Sequence, residues 1–244
     1  MNQNRWSRQI PIPGFGEEGQ RILLESQVAV LGLGGVGGPA ALYLTAAGIG
    51  SLVLVDRDVV EISNLNRQIL FCEKDLGLLK AEAAGNRLLS LNPKLKTKIV
   101  TKNLTERDML TLLKGCQFVL DCFDRNSDRL AVNRVCLKLG IPAAHGFAQD
   151  FSGEILTVLP GKSACLACAL DENFPEVDAT PIIGVTTGMV GTSMAATAIL
   201  NLTKLGDPPI GKRTIYDLAF SEVLKIPIAK NIRCPACMNI QTES

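Results

Sequence analysis

A glycine-rich turn near the N-terminus has the residue types and spacing of a phosphate-binding site. It follows an apolar run at residues 28–31, and its glycines are Gly32, Gly34, Gly35 and Gly37. Such a turn lets the backbone approach a phosphate closely, and the start of the next helix offers unpaired N–H groups. Asp56 stands about twenty residues further on, where its carboxylate can accept hydrogen bonds from ribose hydroxyls. The pattern predicts a nucleotide site but does not identify the nucleotide.

Three cations, an asparagine and a second strand-end aspartate accompany this turn. They are Arg8, Asn64, Arg67, Lys80 and Asp124. A single lysine or arginine is usually solvated surface, but triphosphate chemistry requires such a set because the phosphate charge must be compensated. Each charge-assisted contact is worth about 1.5–3 kcal/mol, and a strand-end carboxylate can hold magnesium through its oxygens. A nicotinamide dehydrogenase has no need of these groups and is the least favoured alternative.

Two Cys-x-x-Cys pairs lie far apart in the sequence, at Cys165 and Cys168 and at Cys234 and Cys237. Four thiolates can form a closed tetrahedral zinc site, which would tie the C-terminal segment to the body of the protein. The alternative is a redox dithiol in one of the pairs.

The other four cysteines lack the spacing of metal ligands. Cys116 and Cys136 lie in apolar surroundings, which favours a place in the core. A thiolate at Cys122 would be disfavoured because it stands between Asp121 and Asp124.

Strands and helices alternate through the first part of the chain, with a helix predicted from Lys80 to Leu91 and a capping box at Thr105 and Asp108. Alternation of this kind predicts an α/β fold with a Rossmann-like, doubly wound, mostly parallel sheet. After Gly153 the strands are predicted to continue the sheet in antiparallel fashion around a long uncharged segment at residues 179–203. That segment could span a membrane by length, but its glycines, threonines and proline favour a buried helix.

Composition narrows the class of protein further. With 244 residues, the chain suits one domain, and its net charge of +1 argues against nucleic acid as the main partner. The N-terminus lacks the apolar core of a signal peptide, so a cytoplasmic protein without membrane contact is expected.

From Arg5 to Met238 the chain resembles the ThiF/MoeB/HesA family, bacterial relatives of the ubiquitin-activating enzymes. The resemblance rests on the Arg-Trp-Ser-Arg-Gln-Ile at residues 5–10, the glycine turn, the Asp-Arg-Asp at residues 56–58, the Ser-Asn-Leu-Asn-Arg-Gln at residues 63–68, the Asp-Cys-Phe-Asp at residues 121–124, Lys80 and both cysteine pairs. It implies an ATP-dependent adenylyltransferase that activates the C-terminal Gly-Gly carboxylate of a ubiquitin-like sulfur-carrier protein as an acyl-adenylate, with release of pyrophosphate.

The resemblance also implies roles for single residues. The glycine turn would contact the nucleotide, Asp56 would bind the ribose, and Asp124 would bind magnesium. Phosphates would be held by Asn64, Arg67 and Lys80. Arg8 would reach into the partner subunit's site, which implies a homodimer. A single adenylating domain is expected over residues 1–244, with the nucleotide part at about 1–147 and the carrier-binding and zinc part at about 148–240.

The chain departs from the family at two places. Members that form a thioester or persulfide carry a cysteine in the loop after the first cysteine pair, whereas residues 170–181 contain none and Val177 stands near that place. We therefore expect adenylation only, as in MoeB-like members, with sulfur delivered by a separate sulfurtransferase. Arg125 follows Asp124 where the family often has asparagine.

Two alternatives remain open at this point. The enzyme could adenylate another substrate, such as a peptide carboxyl group or a modified tRNA nucleoside. It could also be an ATP-binding scaffold without turnover.

Overall fold

The computed structural model describes residues 5–170 and 181–240, which form one eight-stranded sheet in the order β3-β2-β1-β4-β5-β6-β7-β8. The strands are β1 Gln27–Leu31, β2 Ser51–Val55, β3 Lys96–Val100, β4 Phe118–Asp121, β5 Ala143–Gln149, β6 Ser152–Val158, β7 Lys212–Asp217 and β8 Glu222–Pro227. The α-helices are α1 Gly16–Glu25, α2 Gly37–Ala47, α3 Lys80–Leu91, α4 Glu106–Leu112, α5 Asn126–Leu139, α6 Leu166–Ala169 and α7 Gly184–Thr203. Short 3-10 turns lie at Ile62–Asn64 and Glu73–Asp75.

The predicted fold class is confirmed. Strands β1 to β5 pair in parallel, and β6, β7 and β8 extend the sheet by antiparallel pairing. The parallel strands are short apolar runs because helices cover both of their faces. The predicted division near residue 147 falls within β5, and the sheet continues across it. The division into two parts therefore stays a prediction.

Two apolar cores lie on the two faces of the parallel sheet. On one face the sheet packs against α1, α2, α3 and α7, with Leu44, Leu88 and Met194 among the buried side chains. On the other face it packs against α4 and α5, with Met109 and Val132 buried. A third, smaller cluster lies under the antiparallel strands and includes the cysteine pairs.

Helix α7 is the long uncharged segment, and it is the one helix in the described part of the chain that is long and apolar enough to cross a membrane. It packs along β4, β5, β6 and α2 instead. Val190, Met194 and Ala198 on its inner face have no exposed surface. Gly191 meets the backbone of Val36 so closely that a Cβ atom would lie 2.1 Å from its carbonyl oxygen. The prediction of a buried core helix is therefore confirmed.

Candidate active site

A cleft of about 1070 Å³ opens at the carboxyl edge of the parallel strands. It lies above β1 and β4, which are neighbours in the sheet although β2 and β3 separate them in the chain. At such a switch point the connections leave in opposite directions, and open α/β sheets bind ligands there. Its lining includes Gly32, Gly34, Gly35, Asp56, Arg67, Lys80 and Asp124. The topology therefore brings together most of the residues that the sequence singled out.

The glycine turn has the backbone geometry that its composition predicts. Gly32 has a φ of +89°, and a Cβ atom there would lie 2.7 Å from the carbonyl oxygen of Cys122. At Gly37 a Cβ atom would lie 1.8 Å from the carbonyl oxygen of Gly32. Helix α2 then begins without a side-chain cap and without an acidic residue in its first turn. Its N-terminus therefore offers partial positive charge to an anion in the cleft.

The Asp56 carboxylate is buried at the end of β2 and holds the turn in place. Its Oδ2 accepts a hydrogen bond from the N–H of Leu33 (2.8 Å), and its Oδ1 accepts one from the N–H of Asp58 (2.9 Å). Burial raises the pKa of Asp56 above its ordinary value, against the lowering effect of these two hydrogen bonds. Because each carboxylate oxygen has a second lone pair, the group can still accept hydrogen bonds from ribose hydroxyls.

Two of the predicted cations line the cleft. Lys80 begins α3, and its buried ammonium lies 3.3 Å from the exposed carboxylate of Asp58. The guanidinium of Arg67 donates hydrogen bonds to the carbonyl of Ser63 (2.9 Å) and to Asn66 Oδ1 (3.1 Å), which anchor it at the rim. Both cations can therefore face the same anionic ligand.

Asn64 lies next to these cations but is not among the described residues that line the cleft. Its side-chain oxygen accepts a hydrogen bond from the N–H of Glu61 (3.2 Å), and the two residues form a capping box around the 3-10 turn. The backbone carbonyl of Asn64 also accepts from the N–H groups of Arg67 and Gln68. Asn64 therefore shapes the loop that presents Arg67, and its contact with phosphate stays a prediction.

The loop after β4 forms another wall of the cleft. Asp124 and Arg125 are exposed there, and both line the cleft. Asp128, in the first turn of α5, lines the same wall, and burial raises the pKa of its carboxyl. Carboxylate oxygens at this wall could ligate magnesium.

An apolar end of the cleft was not anticipated from the sequence. It is lined by Val55, Leu104, Met109 and Phe123. These side chains come from the end of β2, from the loops after β3 and β4, and from α4, so together they offer an apolar surface to a ligand in the cleft. No short motif marks them, because they lie in four separate segments of the chain.

Arg8 lies outside this cleft. Its segment is fixed by hydrogen bonds from Trp6 Nε1 to the carbonyl of Ala46 (3.2 Å) and from Gln9 Nε2 to that of Ala47 (2.7 Å). These carbonyls are at the C-terminal end of α2, whereas the glycine turn is at its N-terminal end, about 15 Å away by helix geometry. The exposed Arg8 side chain is therefore separated from its own cleft by the length of a helix.

The four predicted metal ligands converge although about 65 residues separate the two pairs. The sulfur atoms of Cys165, Cys168, Cys234 and Cys237 all lie within 4.8 Å of one another. Distances between sulfur atoms are 3.9 Å for Cys165 and Cys168, 3.7 Å for Cys165 and Cys234, and 3.6 Å for Cys168 and Cys237. A tetrahedral site with zinc–sulfur bonds of about 2.3 Å has edges of about 3.8 Å. The cluster therefore has the dimensions of a zinc site.

The remaining four cysteines lie outside the cluster, and Cys72 among them is exposed. Cys116 and Cys136 are buried, as predicted. Burial, followed by the neighbouring Asp121, raises the pKa of Cys122 far above its ordinary value, so this thiol stays protonated at neutral pH. Residues 171–180, where the resemblance would place a loop cysteine, lie outside the described residues.

A model of the ThiF family matches residues 6–236. The chain belongs to the ThiF family. Among its relatives, the SAMP-activating enzyme E1 of Haloferax volcanii is 36% identical over 239 residues, which cover 96% of this chain and 88% of the relative. The sulfur carrier protein ThiS adenylyltransferase of Escherichia coli is 35% identical over 237 residues, which cover 96% of this chain and 94% of the relative.

Solved structures agree on the fold. A crystal structure of E. coli MccB with selenomethionine MccA superposes with a TM-score of 0.87 and covers 98% of this chain and 75% of that one. Its sequence identity is 22%, so the likeness concerns the fold alone. The ThiF-family resemblance stated from the sequence is thus confirmed, and the roles of single residues in this ThiF-family chain remain predictions.

Proposed function

We propose that the protein is an ATP-dependent adenylyltransferase that activates the C-terminal Gly-Gly carboxylate of a ubiquitin-like sulfur carrier. The observation that carries the proposal is the composition of the cleft. It combines the uncapped N-terminus of α2, the buried Asp56 at the end of β2, the cations Arg67 and Lys80, and the carboxylates of Asp124 and Asp128. The relatives support it, because one is named a ThiS adenylyltransferase and another a SAMP-activating enzyme, each over most of its length.

The reaction joins the carrier carboxylate to the α-phosphorus of ATP. A carboxylate oxygen attacks the phosphorus, the bond to the leaving pyrophosphate breaks, and the products are a carrier acyl-adenylate and pyrophosphate. The carboxylate is already ionised and nucleophilic at neutral pH, so no general base is needed. The rate acceleration therefore comes from positioning of the two substrates and from compensation of the phosphate charge.

In this assignment each part of the nucleotide is bound by a different set of cleft residues. The glycine turn and the N-terminus of α2 contact phosphate oxygens, Asp56 binds the ribose, and the apolar end takes the adenine. Arg67 and Lys80 neutralise charge on the phosphates. Asp124 would hold a magnesium ion, which supplies further charge compensation when bound.

The cysteine cluster is proposed as a structural zinc site. Four thiolates leave no open position on the metal, so the site has no role in the reaction itself. It instead joins the segment after β6 to the C-terminal residues after β8. A redox dithiol is less favoured because the two pairs contact each other across the cluster.

A homodimer is proposed from the position of Arg8. Because this residue cannot reach the cleft of its own chain, it is expected to complete the cleft of a second copy. An apolar groove of about 270 Å³ lies beside its segment between α2 and α7, and Tyr43 on its rim is 57% exposed. The other residues of the groove are Gln9, Ala46, Ala47, Thr192, Ala195, Ala196 and Ile199. A second copy of this chain would cover it.

The test is an exchange of radioactive pyrophosphate into ATP with a panel of purified Gly-Gly-ended carriers. Exchange that requires both the enzyme and one of the carriers is the expected result. Tight ATP binding without exchange for any carrier would favour a scaffold. Exchange that requires a peptide or a tRNA instead would favour adenylation of another substrate.

A further inference from the structure

The only histidine of the chain is buried next to the active site and has no role in the proposed reaction. His145 lies on β5 with no exposed surface, and its Nδ1 is 2.7 Å from Oδ2 of Asp121, which is equally buried. The parallel register places the two residues directly opposite each other on neighbouring strands. His145 Nε2 has no hydrogen-bond partner in the part of the chain that the structure describes. In the described part of the chain, Asp121 is therefore the hydrogen-bond partner of the His145 side chain.

Asp121 connects this pair to the wall of the cleft. It is the last residue of β4, and its Oδ1 accepts a hydrogen bond from the backbone N–H of Phe123 (3.3 Å). Phe123 and Asp124 follow at once and both line the cleft. One oxygen of the carboxylate thus faces the histidine, and the other holds the turn that carries Asp124.

The same turn also touches the phosphate-binding side of the site. Cys122 donates its N–H to the carbonyl of Leu31 (2.8 Å). The carbonyl oxygen of Cys122 lies only 2.7 Å from the position that a Cβ atom at Gly32 would take. A rotation of this turn would therefore move two walls of the cleft together.

Loss of the histidine would leave a carboxylate oxygen buried without its donor. An unsatisfied buried polar group costs about 1–3 kcal/mol, and more when it is charged. The carboxylate can avoid this cost by turning towards another donor, which would weaken its hydrogen bond with Phe123. Loss of His145 would thus displace the loop that carries Phe123 and Asp124.

We propose that His145 is a positioning residue, whose Nδ1–H holds Asp121 so that the following loop presents Asp124 to a nucleotide-bound metal. The inference rests on the proposed role of Asp124. It predicts that the histidine acts on metal-dependent nucleotide binding without touching the nucleotide.

The first test uses NMR of protein labelled with ¹⁵N-histidine. Because the chain has one histidine, its two ring nitrogens are assigned without ambiguity. The expected result is a proton on Nδ1, with the downfield resonance of a short hydrogen bond, that moves upfield in Asp121→Asn. An unprotonated Nδ1 in the wild-type protein would overturn the proposal.

The second test compares His145→Leu with His145→Asn, whose amide N–H can replace the Nδ1–H. The measurement is the Mg²⁺ concentration needed for half-maximal binding of a non-hydrolysable ATP analogue. In His145→Leu, analogue binding should need about tenfold more Mg²⁺, the lower end of the effect that follows loss of a group which orients a metal ligand. His145→Asn should stay near the wild-type value.

A matched control separates positioning from general loss of stability. Val135→Ala removes apolar volume from the buried cluster between the sheet and α4 and α5, and Val135 does not line the cleft. It should lower the melting temperature yet leave the Mg²⁺ requirement unchanged. Equal Mg²⁺ requirements for His145→Leu and Val135→Ala, or analogue binding by the wild-type protein that ignores Mg²⁺, would overturn the inference. Because the readout is binding, a wild-type protein that binds Mg²⁺ and analogue but shows no pyrophosphate exchange would contradict the proposed function alone.

Discussion

Lys80 carries its charge in a place where charge is costly. Its side chain is 8% exposed, and its ion-pair partner in the described part of the chain is Asp58, whose side chain is 60% exposed. Taking an ammonium out of water costs several kcal/mol unless other charges compensate. A solvated aspartate compensates only in part, whereas a polyphosphate in the cleft would supply the remainder. A bound polyphosphate therefore accounts for the burial of Lys80 better than a contribution of Lys80 to the stability of the fold does.

Asp124 is the residue at which the assignment of magnesium can be tested most simply. Asp124→Asn should lower the rate of pyrophosphate exchange by about a hundredfold or more, since the transition-state charge would lose a major compensating group. The far-ultraviolet circular dichroism and the melting temperature should stay near those of the wild-type protein, because Asp124 is exposed.

The control for this change is Asp207→Asn, which removes the same charge from an exposed position outside the cleft. It should leave exchange unaltered. Near-normal exchange in Asp124→Asn would refute the metal assignment.

Among single residues, the sequence predicts the members of the site that lie close together in the chain. The glycines and Asp56 belong to one βαβ unit, so their spacing alone brings them together. The pairing of Asp121 with His145 depends instead on the register between β4 and β5, to which no short motif points. For the same reason the apolar end of the cleft, assembled from four separate segments, could not be predicted.

At the scale of elements, the capping box of α4 was predicted from two residues and is confirmed. Thr105 accepts a hydrogen bond from the N–H of Asp108 (3.2 Å), and Asp108 Oδ2 accepts from the N–H (3.0 Å) and hydroxyl (2.8 Å) of Thr105. The hydrogen bond from the Thr105 side chain is the main reason why the pKa of Asp108 is lowered from 3.8 to about 2. This reciprocal pair depends only on local spacing, which is why the sequence could predict it.

We expect Thr105→Ala to lower the free energy of unfolding by about 1 kcal/mol at pH 7, measured by urea denaturation. Because the folded state lowers the pKa of Asp108, its ionised form stabilises the fold above about pH 3.8, and this contribution is lost as the pH falls towards 2. The difference between wild type and variant should therefore shrink over that interval. A difference that stays constant with pH would show that the acid does not contribute through the cap.

The link between the first cysteine pair and the C-terminal segment can be tested by its metal content. Elemental analysis should find one zinc per chain in the wild-type protein and none in Cys237→Ser, because three thiolates do not complete the tetrahedron. The same variant should expose the residues after β8 to proteolysis.

Cys116→Ala is the matched control, since this buried cysteine lies outside the cluster. It should keep its zinc and its resistance to protease. A wild-type protein without zinc, but with a disulfide in one pair, would support the redox alternative instead.

At the scale of the whole molecule, the proposed role of Arg8 predicts that each active site contains residues from two chains. Arg8→Ala and Arg67→Ala should each abolish exchange as purified homodimers. When the two variants are mixed and allowed to exchange subunits, each mixed dimer regains one complete site, so activity should return. Two Arg67→Ala preparations mixed in the same way serve as the control. If mixing restores nothing while native mass spectrometry shows mixed dimers, Arg8 does not act across the interface.

The direct test of adenylation is mass spectrometry of the carrier after a single turnover with ATP. A carrier that ends in a free Gly-Gly carboxylate should gain the mass of an adenylyl group when wild-type enzyme is present. The same carrier with a C-terminal carboxamide should gain none, because it lacks the nucleophile. An adenylyl group on the carboxamide form, or no adduct on any Gly-Gly-ended carrier despite bound ATP, would contradict the proposed activity.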